Sequence, residues 1–416
     1  GGTASTTPWT NLTPGGTYRL TESATAGDAP SFAAGELSCR NGDSVIPTTP
    51  IAGGVQFVAP ANGVIVCSVT NTKRSTISVT KTSVGGDGVF EFTLTGPGGS
   101  VKPVTTTGGA GSYTWGPAGL APDGTYTLSE TVQDGWISTF NSCTGVTPTS
   151  STSSSVTFTA AAGAVISCGF TNTKRPEISV TKTSVGGDGS FPFTLTGPGG
   201  SVKSVTTTDG VGSSTWGPAG LMPGGTYTLS ETVQDGWVST YNSCTGVTPT
   251  SSTTSSVTFT AVEGAKITCD FTNTKRPTIS VSKLTEGGDG SFDFTLTGDG
   301  GSVEPVATTG GAGSFTWGPA GLTPGGTYTI SESVKGEWVS TFVSCGDVSE
   351  TSGAPFMFTK LLDPEVGATF TAPAGATIQC VFSNTQRPVV MVSKTTVGAE
   401  TGDFSFVLDG VGGSTQ

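Results

Sequence analysis

The stretch ISVTKTSVGGDG at 77–88 returns at 178–189 and, as ISVSKLTEGGDG, at 279–290. Three other stretches keep step with it. TWGPAGL at 114–120 recurs at 215–221 and 316–322, and GTYTLSETVQDGW at 124–136 recurs at 225–237 and, as GTYTISESVKGEW, at 326–338. FTNTKR at 170–175 recurs at 271–276, with VFSNTQR at 381–387. The period is 101 residues, lengthened to 111 in the last complete copy by added residues around Lys360 to Val366. A period of that length marks an independent domain with its own core, not a solenoid rung. Complete copies cover 75–175, 176–276 and 277–387. Residues 1–72 carry the later part of a copy and 388–416 the earlier part, so the two pieces sum to nearly one more domain.

Within a copy, apolar residues alternate: Ile77/Val79, Phe90/Phe92/Leu94, Tyr126/Leu128, Val156/Phe158 and Ile166/Cys168/Phe170. GGDG, GPGG, PDG and AAG turns separate them. Short alternating runs with frequent turn signals indicate an all-β fold, a β-sandwich or a barrel in each copy, and a tandem array of Ig-like β-sandwich domains is expected. Only TKRPE joins Asn172 to Ile178, so neighbouring domains are expected to be closely coupled.

Composition narrows the function. The 416 residues hold 64 Gly, 18 basic and 30 acidic residues and no histidine, for a net charge of −12. Such an acidic chain lacks the basic stripe that nucleic acid requires. Without histidine, Ser-His-Asp chemistry and His-ligated zinc are excluded. No apolar run is long enough to span a bilayer, so direct membrane insertion is not expected. No initiator Met, signal peptide or LPxTG tail is present, and the chain reads as a mature product or a segment of something longer. No cofactor or metal is called for: the lone carboxylate of each GGDG is far short of a calcium shell, and a hairpin turn accounts for it.

Eight cysteines sit as Cys39 and Cys67, Cys143 and Cys168, Cys244 and Cys269, Cys345 and Cys380. None has CxxC spacing, and the repetition selects one disulfide inside each repeat. That pairing implies an oxidising, extracellular or cell-surface location; four pairs of reduced buried thiols are the alternative.

Strand parity singles out three polar residues. Ile77, Val79 and Lys81 share a face; so do Tyr126, Leu128 and Glu130, and Cys168, Phe170 and Asn172. The same holds for Lys182, Glu231 and Asn273, and for Lys283, Glu332 and Asn384. The partial copies supply Glu22 and Asn71 at the head and Lys394 at the tail. Each apolar stripe thus ends in an inward-facing Lys, Glu or Asn. A strand-end cap reaching solvent is one explanation, and a buried Lys–Glu ion pair is a second. The third is chemical: a desolvated, neutral lysine attacks the Asn side-chain carbonyl while a protonated Glu shuttles protons, and ammonia leaves.

The series SVTK, F-x-F-x-L, WGPAGLxPxGTYTLSET, DGW and FTNT resembles the Cna B-type, SpaA-like modules of bacterial surface adhesins and pilins, which have a prealbumin-like fold. The resemblance covers essentially the whole chain, and its most specific part is GL-x-P-x-G-x-Y-x-L-x-E. It implies self-catalysed isopeptide bonds joining Lys81 to Asn172, Lys182 to Asn273 and Lys283 to Asn384, with Glu130, Glu231 and Glu332 as catalysts. The cysteine pair in each repeat departs from the family's usual pattern.

The function expected is structural: the shaft of an extracellular filament or surface stalk, not an enzyme beyond a single-turnover maturation step. The alternative is an adhesin recognising a host protein or glycan, for which Trp136, Phe140 and Tyr241 are the aromatic candidates. The expected partner is a second copy, in a head-to-tail homo-polymer where Lys394 of one chain joins Asn71 of the next with Glu22 catalysing, or the continuation of a longer repeat chain. The basic pairs Lys73-Arg74, Lys174-Arg175 and Lys275-Arg276 are expected to face acidic surfaces of the neighbouring domain.

Overall fold

The computed structural model describes residues 4–23, 31–349, 355–362, 364–398 and 402–410. Residues 1–273 and 274–416 form two compact units. Among the described residues there is no α-helix, and no helix is long and apolar enough to cross a membrane.

The repeat at 75–175 sets the pattern. Its strands are β1 (Thr76–Val84), β2 (Val89–Thr95), β3 (Val101–Thr105), β4 (Ala110–Trp115), β5 (Gly124–Thr131), β6 (Trp136–Thr144), β7 (Ser150–Ser151), β8 (Ser155–Ala160) and β9 (Val165–Lys174). They form a five-stranded sheet ordered β3-β2-β5-β8-β7 and a four-stranded sheet ordered β4-β1-β9-β6. Alternation of apolar and polar residues gives each sheet one apolar face, and a sandwich buries both faces together. Ile77, Val79, Phe90, Phe92, Leu128, Phe158, Ile166 and Phe170 are all buried in that core. The repeats at 176–276 and 277–387 have the same two sheets in the same order.

Most neighbouring strands run antiparallel, but the first and last are parallel: Thr76 pairs with Val165 and Val84 pairs nearly opposite, with Thr173. In the third repeat Thr278–Glu286 and Thr377–Gln386 pair the same way. The first and last strands of the repeat therefore lie side by side in the centre of one sheet. The turns demand glycine where backbones meet. Gly98 has φ +73°, and a Cβ there would stand 2.3 Å from the Gly119 carbonyl oxygen, so only glycine fits.

The four cysteine pairs are disulfides: Cys39–Cys67, Cys143–Cys168, Cys244–Cys269 and Cys345–Cys380. Cys143 and Cys168 stand directly opposite each other on β6 and β9, two positions past a bulge at Phe140–Ser142 that brings them into line.

The partial copies differ from the complete ones. Residues 4–73 form short sheets from Thr17–Thr21, Gly54–Val58 and Thr48–Ile51, and from Ser44–Ile46, Ser38–Asn41 and Ile65–Ser68. Among the described residues the core here holds four buried apolar residues against seventeen in the first complete repeat, so it is a fragment of the sandwich. Trp9 is 67% exposed, whereas its counterpart Trp115 is buried. At the tail, residues 388–398 form no strand, and Val390 and Val392 are exposed. In a complete repeat the corresponding strand is held between the fourth and last strands, and 388–416 contains neither.

The basic pairs at the junctions do not behave as expected. The Arg175 guanidinium donates to the Leu221 carbonyl at 2.5 Å, and that of Arg74 reaches the Leu120 carbonyl. A backbone oxygen of the following repeat, not an acidic side chain, is the partner. Gly264 of the second repeat also abuts Gly85 of the first; a Cβ on Gly264 would come within 2.0 Å of the Gly85 carbonyl oxygen.

Candidate functional site

Parity places Lys81 on β1 and Asn172 on β9 with their side chains in the core, and Glu130 arrives from β5 in the facing sheet. Lys81 lies beside Phe170, and Asn172 lies one inward position further on, beside Ser83. All three side chains are buried, Lys81 at 1% and Asn172 at 0% exposure. The repeat array reproduces this placement: Lys182, Glu231 and Asn273, and Lys283, Glu332 and Asn384, are likewise buried. No strand-end cap reaching solvent is compatible with that burial.

The three groups converge on one carboxyl. Lys81 Nζ donates to Glu130 Oε2 at 3.0 Å and is the same distance from Oε1. Asn172 Nδ2 donates to Oε1 at 2.5 Å. In the second repeat Lys182 is 3.1 Å from Glu231 Oε2 and Asn273 is 2.5 Å from Oε1. In the third, Lys283 donates to both Glu332 oxygens, at 2.8 and 2.9 Å, and Asn384 to Oε1 at 2.5 Å. The ammonium of Lys81 also sits over the Phe90 ring, 4.6 Å from its centroid.

Burial pushes the pKa of Lys81, Lys182 and Lys283 below the ordinary 10.5, and the adjacent Glu carboxyl opposes that shift in part. Desolvation favours the neutral amine, the form that is nucleophilic. The Asn side-chain oxygens Oδ1 of Asn172, Asn273 and Asn384 are buried with no hydrogen-bond partner among the described residues. An unpaired buried carbonyl is costly to leave so.

Parity also reveals residues that the triad reading passed over. Ser138 shares its face with Trp136 on β6, and its hydroxyl donates to Glu130 Oε2 at 2.7 Å. Ser239 does the same to Glu231 at 2.6 Å. The signal was present in the inward position of the serine, but serine occupies both faces of strands too freely to stand out.

Other candidates find structural roles. Trp136 is buried and packs edge-on against Phe90, 5.0 Å between centroids, while Phe140 and Tyr241 pack on Phe170 and Phe271. Asp87 of GGDG accepts hydrogen bonds from the Gly108 and Gly109 amides at 3.0 and 2.8 Å, which closes a turn and draws its pKa below the usual 3.8. No group of side chains suited to a metal occurs among the described residues. At the head, Asn71 Nδ2 donates to the exposed Glu22 at 2.6 Å. At the tail, Lys394 Nζ stands 4.2 Å from the centre of the Phe404 ring.

A model of the SpaA prealbumin-like fold domain matches residues 77–174, 178–275 and 279–386, and a second such model matches 1–73. The chain belongs to the SpaA prealbumin-like family. No curated protein matches it. Among solved structures, it is similar to the T-13 major pilin of Streptococcus pyogenes at 14% identity, over 51% of this chain and 98% of that one, with a TM-score of 0.21. The open form of the pilus adhesin SpaC from Lactobacillus rhamnosus GG matches at 13% identity over 87% of this chain and 55% of that one, with a TM-score of 0.23. An adhesin of Mobiluncus mulieris, described as containing disulfide, isopeptide and ester cross-links, matches at 15% identity over 45% and 86%, TM-score 0.20. The SpaA repeats at 77–174, 178–275 and 279–386 each enclose one complete Lys-Glu-Asn cluster.

Proposed function

We propose that the SpaA repeats form the load-bearing shaft of an extracellular filament or surface stalk, each clamped by an amide between its first and last strands. The bonds join Lys81 to Asn172, Lys182 to Asn273 and Lys283 to Asn384. The observation that carries the proposal is the buried convergence of all three groups on one carboxyl in each repeat.

The chemistry balances without a cofactor. Glu130 takes a proton from the Lys81 ammonium; the neutral amine attacks the Asn172 side-chain carbon. The Glu returns that proton to the departing nitrogen, which leaves as ammonia, and takes the second proton from the attacking nitrogen, so that a secondary amide and a neutral Glu130 remain. Holding the partners in a dry core supplies the effective concentration that an intermolecular reaction would lack. The reaction runs once per repeat, so it is maturation and not turnover.

The position of the bond suits a shaft. Tension entering on β1 and leaving on β9 would pass through the amide and bypass the chain between them. Between Asn172 and Lys182 only the nine residues Thr173 to Thr181 remain extensible. Four disulfides fit the oxidising surroundings of a surface protein.

Asn71 and Glu22 belong to the same scheme. The lysine that completes them comes from a segment with the pattern of 388–398, in which Lys394 follows the exposed Val390 and Val392. Donated by a second copy, that strand gives a covalent head-to-tail polymer. Donated by a longer polypeptide, it makes one more repeat of a continuous shaft.

Intact mass of the 416-residue chain tests the clamp: the expected result is the loss of one ammonia for each closed repeat, beyond the hydrogens lost to disulfides. An unchanged mass reduces the clusters to buried ion pairs. Boiling in SDS with reductant tests the polymer, and release of discrete 41.5 kDa chains rules it out.

A further inference from the structure

In two of the three repeats the cluster's carboxyl has a third neighbour beside the Lys and the Asn. Ser138 Oγ lies 2.7 Å from Glu130 Oε2 and 3.2 Å from the Ser153 carbonyl oxygen. Ser239 Oγ lies 2.6 Å from Glu231 Oε2 and 3.3 Å from the Thr254 carbonyl oxygen. Both serines are buried. A hydroxyl carries one proton and two lone pairs, so each serine can answer either protonation state of the glutamate. Against the carboxylate it donates to Oε2. When Oε2 takes the lysine proton, the serine can turn its own proton to the carbonyl and accept from the new Glu O–H. No hydrogen bond is lost in the exchange.

The third repeat lacks this arrangement. Ser340 occupies the same place on its strand, opposite Asn384, yet its buried hydroxyl has no partner among the described residues. The Ser/Thr tracts that provide the Ser153 and Thr254 carbonyls have no counterpart in sequence there; the altered 348–366 stretch takes their place. Lys283 lies 2.8 and 2.9 Å from the two Glu332 oxygens, as Lys81 lies 3.0 Å from both oxygens of Glu130, so the serine contact is what distinguishes the repeats.

We infer that Ser138 and Ser239 are positioning residues for amide formation: they hold one oxygen of the glutamate in place through the proton transfer, so the first two repeats close faster than the third. The inference rests on the clamp proposed above, and it adds an order of closure along the chain. The expected difference is roughly tenfold, a modest share of what holding a reacting group in register supplies.

The test uses the full chain made by cell-free translation under oxidising conditions. Samples are quenched in denaturant at successive times and digested, and the three cross-linked peptides are quantified by mass spectrometry. Repeats one and two should close together, with repeat three about tenfold behind. Ser138→Ala should slow repeat one alone to about the pace of repeat three, leaving repeat two as an internal clock. Ser138→Thr, which keeps the hydroxyl, should restore it. The Cys143–Cys168 peptide in the same digests reports whether the altered repeat has folded; should Ser138→Ala prevent it, Ser239→Ala gives the same comparison against repeat one. Equal rates in all three wild-type repeats overturn the inference, as does a Ser138→Ala repeat that folds and keeps pace with repeat two. Absence of every cross-linked peptide is a different pattern: it defeats the clamp itself, and the serine role with it.

Discussion

Lys81 and Asn172 lie on neighbouring parallel strands, one inward-facing position apart, although 91 positions separate them in sequence. Each belongs to an apolar stripe of its own strand, and the cluster exists because the sheet order β4-β1-β9-β6 puts the first and last strands of the repeat side by side. Several measurable consequences come from that adjacency.

Replacing the electrophile should remove the bond from one repeat only. Asn172→Ala is expected to abolish ammonia loss in repeat one and leave repeats two and three unaltered. In the loop-entropy account, losing a closure of this size lowers the stability of that repeat by about 4–5 kcal/mol. Calorimetry of the full chain should show one transition moving down while the others stay.

Replacing the carboxyl separates chemistry from charge. Glu130→Gln keeps a hydrogen-bonding side chain of the same shape but cannot take up the lysine proton. No amide should form in that repeat, and Lys81 is left without a counterion in the core, at a cost of about 3–5 kcal/mol. Adding Lys81→Met should recover much of the stability and none of the cross-link. A folded Glu130→Gln chain that still loses three ammonia molecules would remove the proton-transfer role of Glu130.

The pH dependence has a definite sign. Burial lowers the Lys81 pKa from 10.5, so in the Asn172→Ala chain the unfolded state binds more protons than the folded one between the lowered value and 10.5. Stability must therefore rise with pH across that window. Denaturant titrations at several pH values, with Lys81→Met/Asn172→Ala as the reference, should show the rise in the first chain and its absence in the second. On the acid side, amide formation in the wild type should slow as pH falls, because the neutral amine becomes scarcer.

The disulfide lies within the loop that the proposed amide would close. Removing Cys143 and Cys168 together should cost repeat one roughly 3–3.5 kcal/mol when Asn172→Ala has already opened the larger loop. With the amide intact the cost should be smaller, since the unfolded chain is already constrained. Equal costs in the two backgrounds would mean that the two closures act independently.

The first and second repeats are braced by Arg175, whose guanidinium meets the Leu221 carbonyl. Arg175→Ala should leave each repeat's transition temperature nearly fixed but quicken proteolysis in the linker around Pro176. Lys at this position should not substitute fully, having no planar fork to aim at one oxygen.

The face of each strand was readable because β side chains alternate with period two. Ile77, Val79 and Lys81 had to point the same way, and a lysine at the end of such a stripe drew notice at once. Cysteine pairing was readable because it recurs with the repeat. The convergence on one carboxyl was less so, because it depends on which sheet β5 joins and how the two sheets face. Ser138 occupied an inward position in WISTF and could have been found by the same parity. The Arg175 contact could not: its acceptor is a backbone oxygen, and a carbonyl leaves no mark on side-chain identity. For that reason the basic pairs were expected to meet acids, and Arg74 and Arg175 instead meet Leu120 and Leu221.

The parallel pairing of β1 with β9 also fixes how a repeat resists a pull before any amide has formed. The chain enters at Thr76, at one end of the pair, and leaves after Lys174, at the other. Opposed forces at these points slide one strand along the other, so the rungs between them are loaded in shear and must fail together. Opposed forces at the same end of an antiparallel hairpin would peel its rungs apart singly, like a zipper. A newly folded repeat is thus already mechanically resistant, and the amide would turn a sheared ladder into a permanent strut.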